Sequence, residues 1–224
     1  CTIPMRVIIM VKIAVDLMGG DNAPEAIVDG VMKAVEEDPS IEIMAYGLKG
    51  SYTGTHPRIE FIEVTEKVES EDDPVRAVRR KKDSSLVRAA KAVKDGAAAA
   101  CVSAGNTGAI MSAGLFVVGR IKGIERPAIA SIIPNTTGKG IMLLDMGANS
   151  DNKPKHLYQF AEMASIYMEG IENRKNPEVG LVNIGSEDNK GNEVTRGAFE
   201  LLKDSDLNFT GNFETRDIIS GTID

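Results

Sequence analysis

The sequence predicts an α/β fold of three layers, in which helices cover both faces of a mostly parallel sheet. Two observations support this fold. Short apolar runs end abruptly at Gly, Pro, Ser or charged residues, and segments with helical spacing of apolar residues separate most of them. Strands that alternate with helices form parallel sheets, whose ligand sites lie beyond the carboxyl ends of the strands. We therefore expect functional residues in the loops that follow strands.

The first strand is predicted over residues 12–16, and it leads directly into Gly19 and Gly20. Glycine permits backbone conformations that a side chain forbids. We expect Asp21 or Asn22 to cap the helix that a following proline opens. Backbone N–H groups and the helix N-terminus would then face an anion such as phosphate. The alternative is an ordinary strand-to-helix turn.

Further strands and helices follow along the chain. The strands are predicted over residues 41–46, 59–64, 97–102, 128–133, 141–144 and 179–184. The helices are predicted from apolar residues on one face: Ile27, Val31, Ala34 and Val35; Leu86, Ala89, Ala90 and Val93; Leu157, Phe160, Ala161 and Ala164; Val194, Ala198, Leu201 and Leu202. Residues 48–56 carry little helical pattern, which indicates either a missing element or an edge hairpin within residues 41–64.

Length and composition limit the classes of protein to which this chain can belong. The chain has 224 residues, enough for one large domain or two small ones. We expect residues 1–9 to be an N-terminal extension, with Met10 as the natural start, and residues 10–224 to form one α/β domain. The net charge of -7 argues against a nucleic-acid partner. Two cysteines make no disulfide framework and no apolar run is long enough to cross a membrane, so we expect a cytoplasmic protein.

Four loops that follow predicted strands carry the residues suited to binding: MGGDNAP, SAGNTGA, LLDMGANSDNKPKH and VNIGSEDNKGNE. The small residues of SAGNTGA permit close approach of the backbone to an anion. This loop has neither the Walker A pattern nor the dinucleotide fingerprint. One such loop is usually only a turn, whereas four at one sheet edge favour a binding site.

A basic cluster stands out in this acidic chain. It consists of Arg76, Arg79, Arg80, Lys81 and Lys82. Such a run is usually a solvated helix face. Here it precedes a helical segment, so Lys81 or Lys82 would stand beside a helix N-terminus. Binding and simple solvation both remain open.

The histidines and the internal cysteine give weaker signals. His56 is expected in solvent, and His156 is expected near a helix start, where it would polarise a substrate or bond to a neighbouring loop. Cys101 lies within an apolar strand and is expected in the core. The Cys and His residues do not have metal-ligand spacing.

Five segments match one known family in order along residues 11–224. They are KIAVDLMGGDNAPEAIVDG, RRKKDSSLVRAAKAVKDG, VSAGNTGAIMSAGLFVVGRIKGIERPA, LLDMGANSDNKPKHLYQFA and VGLVNIGSEDNKGNE. They resemble the bacterial phosphate acyltransferase (PlsX) family of phospholipid synthesis. The resemblance implies a fold related to phosphotransacetylases and isopropylmalate-type dehydrogenases. It also implies transfer of a fatty acyl group from acyl-acyl carrier protein to inorganic phosphate, without a cofactor or metal.

The resemblance implies further properties and has two departures. It implies a homodimer in the cytoplasm, peripheral at the inner face of the membrane, with acyl carrier protein and phosphate as partners. The family has a longer, helix-bearing segment in place of GLKGSYTGTHPR, and it continues for about another third past residue 224. The alternatives are a phosphotransacylase that uses acyl-coenzyme A and, if the molecule ends here, a non-catalytic scaffold for lipid synthesis.

The resemblance also guides the choice of site residues. Phosphate is itself a competent nucleophile, so the protein has to position it and stabilise the oxyanion, without a covalent enzyme intermediate. We expect backbone N–H groups of Gly19, Gly20 and residues 106–108 to hold phosphate. Asp145 is expected to orient a donor or a lysine.

The expected residues fall into three groups. The catalytic candidates are Lys82, which counters the charge of phosphate, Asn149, Asn183 and Asn192, which donate to the carbonyl, and His156. The phosphate- or substrate-binding candidates are Gly19, Gly20, Asp21, Asn22, Ser84, Ser103, Asn106, Thr107, Gly108, Asp145 and Lys190. The candidates for docking the carrier protein are Arg76, Arg79 and Arg80.

Overall fold

A computed structural model describes residues 10–221 of the chain, which divide into two compact units between Arg120 and Ile121. The expected N-terminal extension, residues 1–9, lies outside the described residues. Within residues 10–221, none of the helices combines the length and apolar character that crossing a membrane requires.

The first unit contains a parallel sheet of four strands. They are β1 (Val11–Asp16), β2 (Ile41–Leu48), β3 (Ile59–Val64) and β4 (Ala100–Val102). The order in the sheet is β3-β2-β1-β4, and every neighbouring pair is parallel. β4 begins later than the predicted residue 97, because the amides of Ala97 and Ala98 bond back to the carbonyl oxygen of Ala92 at distances of 2.9 and 3.1 Å.

Helices cover both faces of this sheet. They are α1 (Glu25–Glu37), α2 (Pro74–Arg80), α3 (Ser85–Lys94) and α4 (Thr107–Ala113), which continues into a π-helical turn over Gly114–Val118. Successive residues of a strand point to opposite faces. Val15 accordingly packs in one cluster with Val35 of α1, and Ala14 packs in another with Ala89 of α3. The first unit therefore has the predicted three layers.

The connection between β2 and β3 contradicts one of the two sequence-based alternatives, the edge hairpin. The two strands pair in parallel, so the edge hairpin is wrong, although β3 does lie at the edge of the sheet. No helix lies between them in the described chain. Arg58 anchors the returning loop, because its guanidinium donates to the carbonyl oxygens of Asp38 at 2.7 Å and Ile41 at 2.9 Å.

The second unit contains two strand pairs and three helices. Its elements are β5 (Ser131–Ile133), β6 (Ile141–Leu143), α5 (Pro154–Gly170), β7 (Val179–Val182), α6 (Glu193–Lys203), β8 (Phe209–Phe213) and α7 (Thr215–Ser220). β5 and β6 are antiparallel, whereas β7 and β8 are parallel. Phe199 and Phe209 pack edge to face in its core, with ring centroids 5.2 Å apart. Leu201 was expected on the buried face of α6 but is 43% exposed, because Ala198 and Leu202 face the core.

Candidate functional site

The loops that follow β1 and β4 meet, because these strands are neighbours in the sheet. A Cβ atom built on Gly19 would lie 2.7 Å from Ser103 Oγ and 2.8 Å from the amide nitrogen of Gly105. Gly20 has a φ of +112°, a conformation that side-chain-bearing residues rarely adopt. Two of the predicted binding loops are therefore in contact, and their glycines are required by that contact.

A buried carboxylate lies beneath these loops. Asp16, at the carboxyl end of β1, is only 3% exposed. Its Oδ2 accepts a hydrogen bond from Ser103 Oγ at 2.7 Å, and its Oδ1 accepts one from the amide of Met18 at 3.0 Å. Ser103 Oγ in turn accepts from the amide of Gly105 at 3.2 Å. The sequence analysis did not select Asp16 or Gly105. The signal that could have identified Asp16 was an acidic residue at the end of a predicted buried strand.

The expected cap of α1 is wrong. The helix begins at Glu25, and the residue before it is Pro24, whose side chain cannot accept a hydrogen bond. The preceding residues form a turn, in which the amide of Ala23 donates to the carbonyl oxygen of Gly20. Asn22 lies in this turn, ahead of the N-cap position, so its side chain does not cap the helix. Asp21 and Asn22 are exposed beside the glycine loop.

The loop after β4 leads directly into α4. Asn106 Oδ1 accepts from the amide of Ala109 at 3.0 Å and so caps the helix, while its Nδ2 donates to the carbonyl oxygen of Ser70 at 3.0 Å. Thr107 is exposed at the first position of α4. A Cβ atom on Gly108 would lie 2.7 Å from Pro74 Cγ, so this glycine permits the packing of α4 against α2.

The two lysines of the basic cluster have different surroundings. Lys81 Nζ is committed to Asp72 Oδ2 at 2.5 Å and to the carbonyl oxygen of Lys67 at 3.0 Å. The first of these bonds is the main reason that the pKa of the Asp72 carboxyl lies below its ordinary value. Lys82 is exposed, and its Nζ donates to the carbonyl oxygen of Val78 at 3.2 Å. Ser84 was expected to bind substrate, but its side chain is fully buried and donates to Lys81 O at 2.8 Å.

Three arginines of α2 form an exposed basic surface. Arg76, Arg79 and Arg80 share one face of the helix at spacings of three and four residues. The guanidinium carbon of Arg79 lies 4.8 Å from the ring centroid of Phe116, which is itself 44% exposed. We refer to these three arginines as the arginine surface.

In the second unit, Asp145 organises the loop after β6. Its Oδ1 accepts from the amides of Ile129 at 2.9 Å and Ala148 at 3.2 Å. Its Oδ2 accepts from both the backbone amide and the Nδ2 of Asn149, at 2.8 and 2.9 Å. Asn149 Nδ2 also donates to Pro127 O at 2.9 Å. Both amide hydrogens of Asn149 are thus donated to Asp145 and Pro127, so as placed it does not offer the expected donor to a substrate.

His156 lies at the start of α5 and is 3% exposed. Its Nδ1 accepts from the amide of Lys153 at 3.1 Å, and its Nε2 lies 3.2 Å from Glu125 Oε2. This pattern assigns the neutral tautomer with the proton on Nε2. Hydrogen bonding, chiefly from Lys155, holds the pKa of the Glu125 carboxyl below its ordinary value. Of the two expected roles, the structure places His156 in the bond to a neighbouring loop and leaves neither ring nitrogen for substrate.

The loop after β7 contains the remaining candidates. Asn183 Nδ2 donates to the carbonyl oxygen of Lys190 and to Asn212 Oδ1, both at 3.1 Å, so both of its hydrogens are also used. Asn192 caps α6 by accepting from the amide of Thr195 at 3.0 Å. Its Nδ2 has no hydrogen-bond partner among residues 10–221 and remains available as a donor. Lys190 Nζ lies 3.4 Å from Glu187 Oε1.

An apolar cavity of about 290 Å³ lies within the second unit, between β6, α5 and β7. Leu143, Phe160 and Leu181 are among its lining residues, and Asp145 also contributes to its wall. The loop that Asp145 organises therefore adjoins an apolar interior.

Cys101 and His56 lie outside these loops. Cys101 is half-buried against the cluster that contains Ala14, in agreement with the predicted core position. Burial raises the pKa of its thiol to about 11, and the charge of Asp16 adds to the effect. His56 was expected in solvent but is half-buried, with Nδ1 accepting from the amide of Arg58 at 3.2 Å. Across the described part of the chain, His, Cys, Asp and Glu side chains form no group that could hold a metal ion.

Comparisons with known proteins match almost the whole chain. A family model described as fatty acid synthesis protein matches residues 11–224. Proteins called phosphate acyltransferase are 54% identical in Staphylococcus epidermidis strain RP62A and 53% identical in Staphylococcus aureus strain JH9, each over 216 residues. These matches cover 96% of this chain and 66% of each relative, so the chain spans slightly less than two thirds of their length.

One solved structure has the same overall fold. The crystal structure of a branched-chain phosphotransacylase from Enterococcus faecalis V583 aligns with a TM-score of 0.61 over 91% of this chain and 67% of that chain. The two sequences are only 12% identical, so the likeness concerns the fold alone. It confirms the predicted α/β class of the phosphotransacylase type.

Proposed function

The chain belongs to the fatty acid synthesis protein family, and from this we propose that it transfers a fatty acyl group from acyl-acyl carrier protein to inorganic phosphate. The product is acyl phosphate for phospholipid synthesis. The name phosphate acyltransferase, carried by relatives that are 53–54% identical, supports this reaction type. The predicted resemblance to the phosphate acyltransferase family agrees with the same matches.

The observation that carries the proposal is the contact between the glycine loops after β1 and β4. Gly19 and Gly105 leave no room for a side chain between them, and both loops lie at the carboxyl edge of the parallel sheet. In parallel sheets this edge is where ligands bind. We propose that backbone N–H groups of Gly19, Gly20 and residues 106–108 hold phosphate there.

The proposed chemistry is direct acyl transfer. An oxygen of phosphate attacks the thioester carbonyl carbon, the carbonyl oxygen becomes an oxyanion, and the carbon–sulfur bond then breaks. The carrier leaves as a thiolate and takes a proton, while phosphate loses one. Lys82 is proposed to counter the charge of phosphate, since its ammonium is exposed at the end of the basic cluster. Hydrogen bonds to the oxyanion would lower the barrier.

The hydrogen-bonding pattern distinguishes the three candidate asparagines of the second unit. Asn192 keeps a free amide nitrogen, whereas the amide hydrogens of Asn149 and Asn183 are already donated to other groups of the second unit. We therefore propose Asn192 as a substrate contact of the second unit and assign Asn149, Asn183, Asp145 and His156 to shaping that unit. Lys190, half-buried at the same loop, remains a proposed substrate contact.

The arginine surface is the proposed docking site for the carrier protein. Acyl carrier proteins are acidic, and a local basic surface would speed their encounter with a chain of net charge -7. We further propose a cytoplasmic homodimer that associates peripherally with the inner face of the membrane, as the family resemblance implies.

Parallel assays with two acyl donors test the proposal. The protein is incubated with phosphate and either palmitoyl-acyl carrier protein or palmitoyl-coenzyme A, and hydroxylamine traps acyl phosphate as the hydroxamate. We expect hydroxamate with the carrier protein, dependent on phosphate and insensitive to chelator. Phosphate-dependent hydroxamate with coenzyme A alone would indicate a phosphotransacylase instead. Absence of phosphate-dependent hydroxamate with either donor would favour a non-catalytic scaffold.

A further inference from the structure

The proposed chemistry leaves one buried acid without a role. Asp16 accepts hydrogen bonds from Ser103 Oγ and from the amide of Met18, at 2.7 and 3.0 Å. A Cβ atom on Gly19 would lie 2.7 Å from both Asp16 Oδ2 and Ser103 Oγ, so this polar pair lies directly against the glycine loop. A carboxylate is an unexpected neighbour for an anion site, because like charges repel.

The hydrogen bonds of Ser103 define what its hydroxyl can offer a ligand. A serine hydroxyl has one hydrogen to donate and two lone pairs to accept. The hydrogen is given to Asp16, and one lone pair accepts from the amide of Gly105 at 3.2 Å. The remaining lone pair can only accept, and Ser103 is a half-buried residue beside the glycine loop.

We propose that Asp16 is a positioning residue that keeps Ser103 Oγ an acceptor, so that the loop site binds protonated tetrahedral oxyanions and rejects unprotonated ones. Phosphate at neutral pH carries at least one P–OH group that can donate to this oxygen. Sulfate carries no proton at that pH. Its oxygen would face the lone pair of Ser103 Oγ with no hydrogen between them. The inference rests on the proposed function, in which these loops hold phosphate.

Substitution of Asp16 by Asn reverses the critical hydrogen bond without changing the size of the side chain. The amide of Met18 needs an acceptor, so the oxygen of the new side chain stays at the Oδ1 position. Its NH₂ group then faces Ser103 and donates to Oγ. The serine hydrogen becomes free to donate to a ligand, and the reason for rejecting sulfate disappears.

Isothermal titration with sodium phosphate and sodium sulfate at pH 7 and fixed ionic strength tests the proposal without any turnover. We expect the native protein to prefer phosphate by about 10- to 100-fold, the effect of one unpaired polar group. Asp16→Asn should reduce this preference by about tenfold or more, mainly through tighter sulfate binding. Asp29→Asn, which removes the same charge from the exposed side of α1, should leave the preference unchanged.

Two further variants keep the test decisive. Ser103→Ala should also weaken the preference for phosphate, because the acceptor is gone, whereas Ser103→Thr keeps the hydroxyl and should retain it. If Asp16→Asn melts at the titration temperature, this serine pair decides the outcome. Equal binding of both anions by the native protein, or an unchanged preference in Asp16→Asn and Ser103→Ala, would overturn the inference.

The failure of this inference can be told apart from failure of the proposed function. Acyl phosphate formation without preference for phosphate over sulfate would overturn the role of Asp16 and leave the reaction standing. Selective phosphate binding without acyl transfer would overturn the proposed reaction and leave the role of Asp16 standing. If neither phosphate nor sulfate binds, both the inference and the phosphate site on which it rests would be overturned.

Discussion

Gly19 and Gly105 approach so closely that a Cβ atom on Gly19 would lie 2.8 Å from the amide nitrogen of Gly105. Such a distance is not seen for real Cβ atoms, so even alanine would force the two loops apart. We expect Gly19→Ala to lower the free energy of unfolding by about 1–3 kcal/mol, the usual cost of overpacking. It should also weaken phosphate binding, as measured by urea denaturation and titration calorimetry.

Gly30→Ala is the matched control for this substitution. Gly30 lies on α1 with open space where a Cβ atom would be placed, so alanine should stabilise the helix by about 0.5–1 kcal/mol and leave phosphate binding unchanged. Native stability and native phosphate affinity in Gly19→Ala would contradict the tight contact between the loops.

The arginine surface should affect the carrier protein selectively. We expect Arg76→Glu combined with Arg79→Glu to slow the reaction at limiting acyl carrier protein by about tenfold or more, because rim charges act on association. The maximal rate, and any slow reaction with acyl-coenzyme A, should change little. Raising the ionic strength should slow the native protein at limiting carrier protein.

Lys33→Glu combined with Lys49→Glu is the control for net charge, because both lysines are exposed elsewhere in the first unit. Their substitution should alter the rate much less. Equal losses with both acyl donors would instead assign the arginines to catalysis or folding, and no loss would mean that they are only a solvated helix face.

His156 should contribute to the stability of the fold rather than to catalysis. Its two ring nitrogens bond the amide of Lys153 and the carboxylate of Glu125 at 3.1 and 3.2 Å in a buried position. We expect His156→Ala to lower stability by about 1–3 kcal/mol, measured by thermal melting. At temperatures well below the melting point its kcat should stay within about threefold of native. A hundredfold loss of kcat at unchanged stability would restore the catalytic role.

The Cys101 thiol should react slowly in the folded protein. Its pKa is raised to about 11 by burial and by the charge of Asp16, so little thiolate exists near pH 8. In a Cys1→Ser variant, which leaves a single thiol, we expect alkylation by iodoacetamide at pH 8 to accelerate at least about tenfold in urea. The native rate should rise with pH up to the raised pKa. Equal rates in folded and unfolded protein would contradict the core position of Cys101.

Sequence patterns predicted the first unit well, because its signals are local. β1, β2 and β3 are apolar runs that end at polar or glycine residues, and their positions agree with the structure to within two residues. β8 was not predicted, since Thr210, Gly211 and Asn212 interrupt its apolar pattern. The parallel pairing of β2 with β3 was also missed, because the loop is held by Arg58, whose partners Asp38 and Ile41 lie 20 and 17 residues earlier in the chain.

The candidate site was only partly accessible from the sequence. The glycine loops could be identified because few residues other than glycine fit such turns. The orientations of Asn149, Asn183 and His156 depend on acceptors and donors elsewhere in the second unit, and residue type alone does not reveal which of their atoms are already bonded. Asp16 was overlooked because its partner Ser103 lies on another strand's loop.

Rapid-quench comparison of thiol release with acyl phosphate formation tests the central claim most directly. Protein at a concentration close to that of palmitoyl-acyl carrier protein is mixed with or without labelled phosphate, and free carrier thiol and labelled acyl phosphate are counted in each sample. Direct attack by bound phosphate predicts equal amounts of the two products with phosphate and release of neither without it. Stoichiometric thiol release in the absence of phosphate, or thiol release without acyl phosphate in its presence, would contradict the account.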